Sequence, residues 1–250
     1  MNLLQKPLKI ILIGESCWDY YRRGTVNRIS PEAPIPVLDF DLDDQRRYAG
    51  MTMNVNYNFE NFGVDVDLYT RFVEEKVRYS SEQYQLLRVD LPIKGWPAFD
   101  FSEIDDLEAG ALVISDYNKG FISYKNISRL REEFSGPMFI DTKKPDLQQF
   151  EGIVTKINQH EYDVRISEHP NPDLLIVTGG GKEIRSDGEV WTPKEIEMVD
   201  VCGAGDTFFA AYISAFLTTN DKSKAIEFAM SAAAVTVQHR GVYAPKLEEI

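Results

Sequence analysis

The 250-residue chain carries 27 Lys and Arg against 40 Asp and Glu, a formal charge of −13. A surface of that sign repels phosphate backbones and anionic headgroups, which argues against non-specific nucleic-acid binding and against a membrane-surface role. With 43% hydrophobic and 27% charged residues the composition is that of an ordinary globular protein, of a length that suits one domain.

In chain order, residues 8–14 (LKIILIG) form a near-continuous apolar run ending in glycine, which predicts a strand buried on both faces. The stretches 35–49 and 76–90 alternate polar and apolar residues and predict exposed strands of a second, small sheet serving as a lid. Between them, 64–71 (VDVDLYTR) reads as a further strand. Four more short apolar runs follow at 111–115, 137–140, 152–157 and 174–178, separated by stretches of helix length. Two apolar-faced helices close the chain, over 208–217 and 225–237. Strands alternating with helices predict an α/β, doubly wound, mostly parallel sheet flanked by helices, with a small β-strand lid, all within one domain spanning 1–250. Ligands in such sheets sit beyond the carboxyl ends of the strands, so Glu15, Asp19, Asp116, Asp141, Lys143, Asn158 and Glu161 become candidates.

The most informative segment is 200–206, DVCGAGD, directly before the helix FFAAYISAFL. The first turn of a helix carries unpaired N–H groups and the positive end of the dipole, and Gly203 and Gly205 bring no side chain to block an anion from them. Asp206 is the odd member, because a carboxylate repels a bound phosphate unless it serves to orient or deprotonate an attacking hydroxyl. An N-cap aspartate after a glycine turn is the structural alternative. Other chemistries fail on spacing. Residues 178–183 (TGGGKE) lack the Walker pattern, and Gly14 is not followed by a dinucleotide fingerprint. His160, His169 and His239 lack metal-ligand spacing, and no G-x-S-x-G occurs. Cys17 and Cys202 form no C-x-x-C pair, which fits a reducing, cytoplasmic setting, and the run at 10–13 is too short for a secretory core or a membrane span. Phosphoryl transfer remains.

On these residues the chain resembles the ribokinase-like (PfkB) carbohydrate kinases over nearly its whole length. DVCGAGDTFFAA is similar to the family's C-terminal signature, which implies an anion hole at Gly203, Ala204 and Gly205 and a catalytic base at Asp206. Asn158-Gln159-His160-Glu161 matches the N-x-x-E element, implying Mg2+ held with ATP through Asn158 and Glu161; on composition alone an Asn and a Glu three apart are also an ordinary helix cap. The segments NRISPEAPIPVL, SDYNKG and KVRYSSEQYQLLRVD resemble the branch that phosphorylates heptose 7-phosphate at its anomeric hydroxyl, in the ADP-heptose route to lipopolysaccharide. That resemblance implies sugar contacts at Asp19, Gly50 and Asn54, with Arg78, Arg88, Asp116 and Lys119 on the phosphosugar side. On the nucleotide side it implies Asn158, Lys143, Thr178, Gly179 and Gly181. Asp141 and Lys143 of IDTKKPD match the branch's D-P-K.

The chain departs from the pattern at Glu15, where an Asp is usual, and at Met51, where a second glycine is usual. It also lacks the helix-strand unit expected near 72–75, and the nucleotidyltransferase domain fused to many members of that branch is not expected within these 250 residues. The expected function is ATP-dependent phosphorylation of a sugar or phosphosugar hydroxyl, heptose 7-phosphate first. A non-catalytic binding module and a kinase of another phosphosugar are the alternatives. The lid strands imply a homodimer, since strands with one apolar face need a partner.

Overall fold

A computed structural model describes residues 8–81 and 84–250. The stretch 76–90, expected to form part of the lid, therefore includes two positions, 82 and 83, outside the described residues.

One sheet of eleven strands organises the molecule. Its axis is β1 (Lys9–Ile29), whose lower half carries the apolar run. Around it stand β2 (Pro36–Phe40), β3 (Arg46–Met51), β4 (Asp65–Ser81), β5 (Tyr84–Pro92), β6 (Ala111–Asp116), β7 (Met138–Thr142), β8 (Val154–Asn158), β9 (Leu175–Thr178), β10 (Ile184–Ser186) and β11 (Glu189–Trp191). The order is β11-β10-β9-β8-β7-β6-β1-β4-β5, with β2 and β3 both antiparallel to β1. Pairing is parallel from β9 across to β4 and antiparallel at both margins.

The helices are α1 (Thr52–Asn61), α2 (Tyr124–Glu133), α3 (Gln159–Asp163), α4 (Ala204–Thr219) and α5 (Lys222–Thr236). Successive side chains of a strand point to opposite faces, so the run at 10–13 feeds two cores at once. Ile10 and Leu12 pack with Phe59 of α1, Phe209 of α4 and Ala229 of α5. Ile11 and Ile13 pack with Ile127 and Leu130 of α2 on the other face. Ala225, Ala229 and Ala232 are fully buried and let α5 lie close against the core.

The lid is not a separate sheet as expected. β1 and β4 stay paired in parallel from Lys9 with Asp65 through to Gly24 with Ser81, broken only by a register shift between Ser16 and Cys17. Both strands leave the body together and become the lid, and β2, β3 and β5 attach to them. The physical reason is continuity: β4 crosses 72–75 as strand, so the ladder never needs to restart.

α1 has no counterpart in the sequence reading. Its segment TMNVNYNFEN is poor in strong helix formers, yet Val55 and Phe59, four residues apart, are both fully buried on one face.

Candidate active site

α4 opens on Gly203, which sits at φ +80, a left-handed conformation that glycine adopts without penalty. A Cβ there would lie 2.6 Å from Nδ2 of Asn54, so both backbone angle and space demand glycine. Gly203 is the N-cap and no side chain caps the helix. Asp206 is therefore not the cap. It lies inside the first turn, buried, while Gly205 beside it is exposed.

Both oxygens of the Asp206 carboxylate are held. Asn54 donates from Nδ2 to Oδ2 at 2.9 Å, and the Tyr117 hydroxyl donates to Oδ1 at 2.7 Å. Burial pushes the Asp206 pKa up; the two hydrogen bonds and Lys156 oppose that, and the charge of Asp141 adds to it. The result is a carboxylate more basic than an ordinary aspartate, aimed by two donors.

Asn54 was expected at the sugar. It is fully buried and committed to Asp206 and, at 3.4 Å, to the Gly203 carbonyl. It ties α1 to the start of α4, which makes it an orienting group for Asp206.

Tyr117 follows the end of β6, and its ring lies 4.4 Å from Nζ of Lys143 and 5.5 Å from Nζ of Lys76. Its loop is pinned by Glu15. That buried carboxylate accepts backbone N–H bonds from Tyr117 at 2.7 Å, Lys119 at 2.8 Å and Phe121 at 3.0 Å. Glu15, a ligand candidate by position, is thus the post on which residues 117–121 are hung. Asp116 is likewise committed: Thr142 and Lys144 donate to it at 2.5 and 3.1 Å.

On the lid side, Asp19 forms an ion pair with Arg78 of β4 and accepts a weak bond from the Cys17 thiol at 3.4 Å. Gly50 of β3 stands against Asp19, and a Cβ on it would collide with Oδ2. Lys119 reaches back to Glu74 at 2.9 Å, and Lys76 meets the same carboxylate at 3.0 Å. Arg88 stands apart on exposed β5, forked onto Asp90 by bonds of 2.7 and 2.6 Å.

On the opposite side, Asn158 and Glu161 form a reciprocal capping box at the start of α3. Asn158 Oδ1 accepts from the Glu161 N–H at 2.9 Å, and Glu161 Oε2 accepts from the Asn158 N–H at 2.7 Å. The helix-cap reading is therefore realised. Burial raises the Glu161 pKa and the nearby charge of Asp141 raises it further. Asp141 itself pairs through Oδ2 with Lys156 at 2.7 Å. Thr178, Gly179 and Gly181 form the turn from β9 to β10, closed by the Gly179 N–H donating to the Glu183 carbonyl at 2.7 Å.

The structure thus gathers Asp206, Asn54, Tyr117 and Lys156 at one point, with Asp141 and Glu161 on one side of it. Tyr117 and Lys156 escaped the sequence reading. A tyrosine after a strand-ending aspartate carries little signal, whereas a lysine inside the apolar run GIVTKI is a charge where strands bury hydrocarbon.

Residues 151–250 match the pfkB family of carbohydrate kinases. The bifunctional protein HldE of Hydrogenovibrio crunogenus is 27% identical over 93% of this chain and 60% of its own length. HldE of Helicobacter pylori is 27% identical over 97% of this chain and 65% of its own length. The chain thus spans about three fifths of the length of the curated relatives it matches. Among solved structures, ribokinase of Thermotoga maritima superposes with a TM-score of 0.68 at 16% identity, covering 97% of both chains. Ribokinase of Arabidopsis thaliana, complexed with ribose and ATP, gives 0.66 at 16% identity over 95% of both. These likenesses bear out both the ribokinase-like fold and the resemblance carried by DVCGAGD.

Proposed function

We propose, from the premise that this chain is a ribokinase-like sugar kinase of the pfkB kind, that it transfers the terminal phosphoryl group of ATP to a phosphosugar hydroxyl, with heptose 7-phosphate the first candidate acceptor. One observation carries the reading: a buried, basic carboxylate, Asp206, held at both oxygens inside the first turn of a helix whose opening amides have no side-chain cap. Such amides favour the negative oxygens of a transferring phosphoryl group, and Asp206 beside them accepts the proton of the attacking hydroxyl.

Mg2+ usually keeps several waters and takes one or two carboxylates together with substrate phosphates. Asp141 and Glu161 suit that role, since each commits one oxygen to Lys156 or to the capping box and keeps the other. The ion would neutralise the donor's phosphates there.

The phosphosugar assignment is supported by the HldE relatives; the cations at the foot of the lid, Arg78, Lys76 and Lys119, are each paired with Asp19 or Glu74, which a sugar phosphate would share or displace. The alignment with the Hydrogenovibrio relative runs over 291 positions, longer than the chain itself, which supports a kinase unit that lacks stretches the relative has. A homodimer through the lid is supported by exposed apolar side chains there, Ile29, Leu42, Tyr84 and Leu87.

A binding module without turnover has one observation in its favour. Both oxygens of Asp19, the candidate sugar contact, are already engaged by Arg78 and Cys17. ADP release screened over heptose 7-phosphate, hexose phosphates and free sugars separates the readings. On the sugar that turns over, Asp206→Asn lowers kcat by about 10²–10⁴-fold while calorimetry still finds nucleotide binding. Near-normal turnover in that variant would remove Asp206 as the base.

A further inference from the structure

Lys156 lies in the middle of β8, where strands of a parallel sheet normally carry hydrocarbon, and its side chain is 7% exposed. Burying an ammonium is costly, and a buried ion pair usually stabilises no more than two well-packed apolar side chains in its place. The pair with Asp141 therefore gives no stability reason for this lysine. Its geometry gives another.

The Nζ atom lies against the first turn of α4: a Cβ on Gly205 would sit 3.1 Å from it. An ammonium has three donors. One goes to Asp141 at 2.7 Å, and the other two take no hydrogen bond among the described residues. The acidic groups facing Lys156 are Asp141 of β7, Glu161 of α3 and Asp206 of α4. The other cations of the region are spoken for or out of reach of that turn. Lys144 is bound to Asp116 and Asn118, Lys76 and Lys119 to Glu74, and Lys143 is exposed above the Tyr117 ring.

We propose that Lys156 is a further catalytic residue, whose two remaining donors bind the terminal phosphoryl oxygens of a polyphosphate donor from beneath Gly205. The backbone amides of α4 supply partial charges from one side, and Lys156 supplies a full positive charge from the other. Gly205 is glycine because the anion must touch the helix end and the ammonium together.

The inference rests on the kinase reading for its catalytic consequence, but the anion contact is testable without turnover. Inorganic tripolyphosphate is titrated calorimetrically into the full chain and into Lys156→Arg, Lys156→Met and the double variant Asp141→Asn with Lys156→Met. Lys156→Arg is expected to keep affinity within about threefold, and Lys156→Met to lose tenfold or more, the order of one charge-assisted hydrogen bond. If Lys156→Met fails to fold because Asp141 is left unpaired, the double variant, which removes both charges, carries the test. Equal tripolyphosphate affinity in the wild type and in whichever uncharged variant folds overturns the proposal. If no sugar is phosphorylated by the wild type while tripolyphosphate binding still depends on Lys156, the kinase reading falls and the anion site stands.

Discussion

The lower and upper halves of β1 belong to one unbroken strand, paired along nearly all its length with β4, yet they live by different physics. Below Gly14 the buried residues Ile10 to Ile13 are all hydrocarbon and fully buried, and helices cover both faces. Above Cys17 the strand leaves the helices behind. Its partners become the Arg78 guanidinium on Asp19, the Tyr79 hydroxyl and Gln45 on Arg22, and the Arg47 guanidinium over the Trp18 ring. The same backbone ladder is held by apolar burial in one half and by polar and cation–π pairs in the other. The difference teaches where a site can be built: at the junction, where rigid strands end one environment and enter another, and where the register shift at Ser16 and Cys17 lies.

The contrast is sharpest in stability. Truncating Phe59, fully buried against the lower half, costs about 3–5 kcal/mol as Phe59→Ala by urea unfolding. A cost below about 1 kcal/mol would mean that the lower half is not the tightly packed core described.

At the junction the expected effects concern chemistry more than stability. Tyr117→Phe removes a hydrogen bond that favours ionised Asp206, so the Asp206 pKa, already raised by burial, rises further. The base must be ionised to act; the acid limb of the kcat/KM profile therefore moves to higher pH, and turnover at neutral pH falls about tenfold. An unmoved acid limb would detach Tyr117 from the base.

Met51 occupies φ +61 and ψ −128, a region that side chains rarely enter, at the step from β3 into α1. Relief of such strain is worth about 1–3 kcal/mol, whereas the buried Met51 side chain, packed with Cys17 and Val73, contributes about 1.5–3 kcal/mol. The two nearly cancel, and Met51→Gly should leave the unfolding free energy within about 1 kcal/mol of the parent. A larger loss would show that packing outweighs the strain.

The smallest intramolecular effect is expected in the lid. Leu87, 56% exposed on β5, should tolerate Leu87→Glu within about 0.5 kcal/mol of monomer stability. If the lid faces pair in solution, light scattering on the same variant reads a monomer where the parent is a dimer. A parent that is itself monomeric at micromolar concentration would withdraw the dimer.

The strands of the parallel sheet and the glycine-opened helix were legible because their signals are local. An apolar run of five to seven residues, or glycines before an apolar helix, announces itself within one window. α1 was not legible: four asparagines, Asn54, Asn56, Asn58 and Asn61, hide a helix whose register is set by two buried side chains. Nor was the union of lid and body, because β4 runs through residues 72–75 from the sheet into the lid, and no local pattern shows that the two ladders join. Glu15 is a ligand candidate by position and Asn54 by resemblance, and the structure engages Glu15 with the amides of 117–121 and Asn54 with Asp206.

The sequence by itself determined that buried strands alternate with helices and that an acid follows two glycines at a helix start, since backbone preference and hydrophobic period act between near neighbours. Tertiary structure alone decided what that acid touches. Asn54 is 152 positions away from Asp206 and Tyr117 is 89, and Lys156 reaches the same helix end from a different strand. A hydrogen bond across such separations depends on where the chain returns in space, and no local pattern of residues encodes that return.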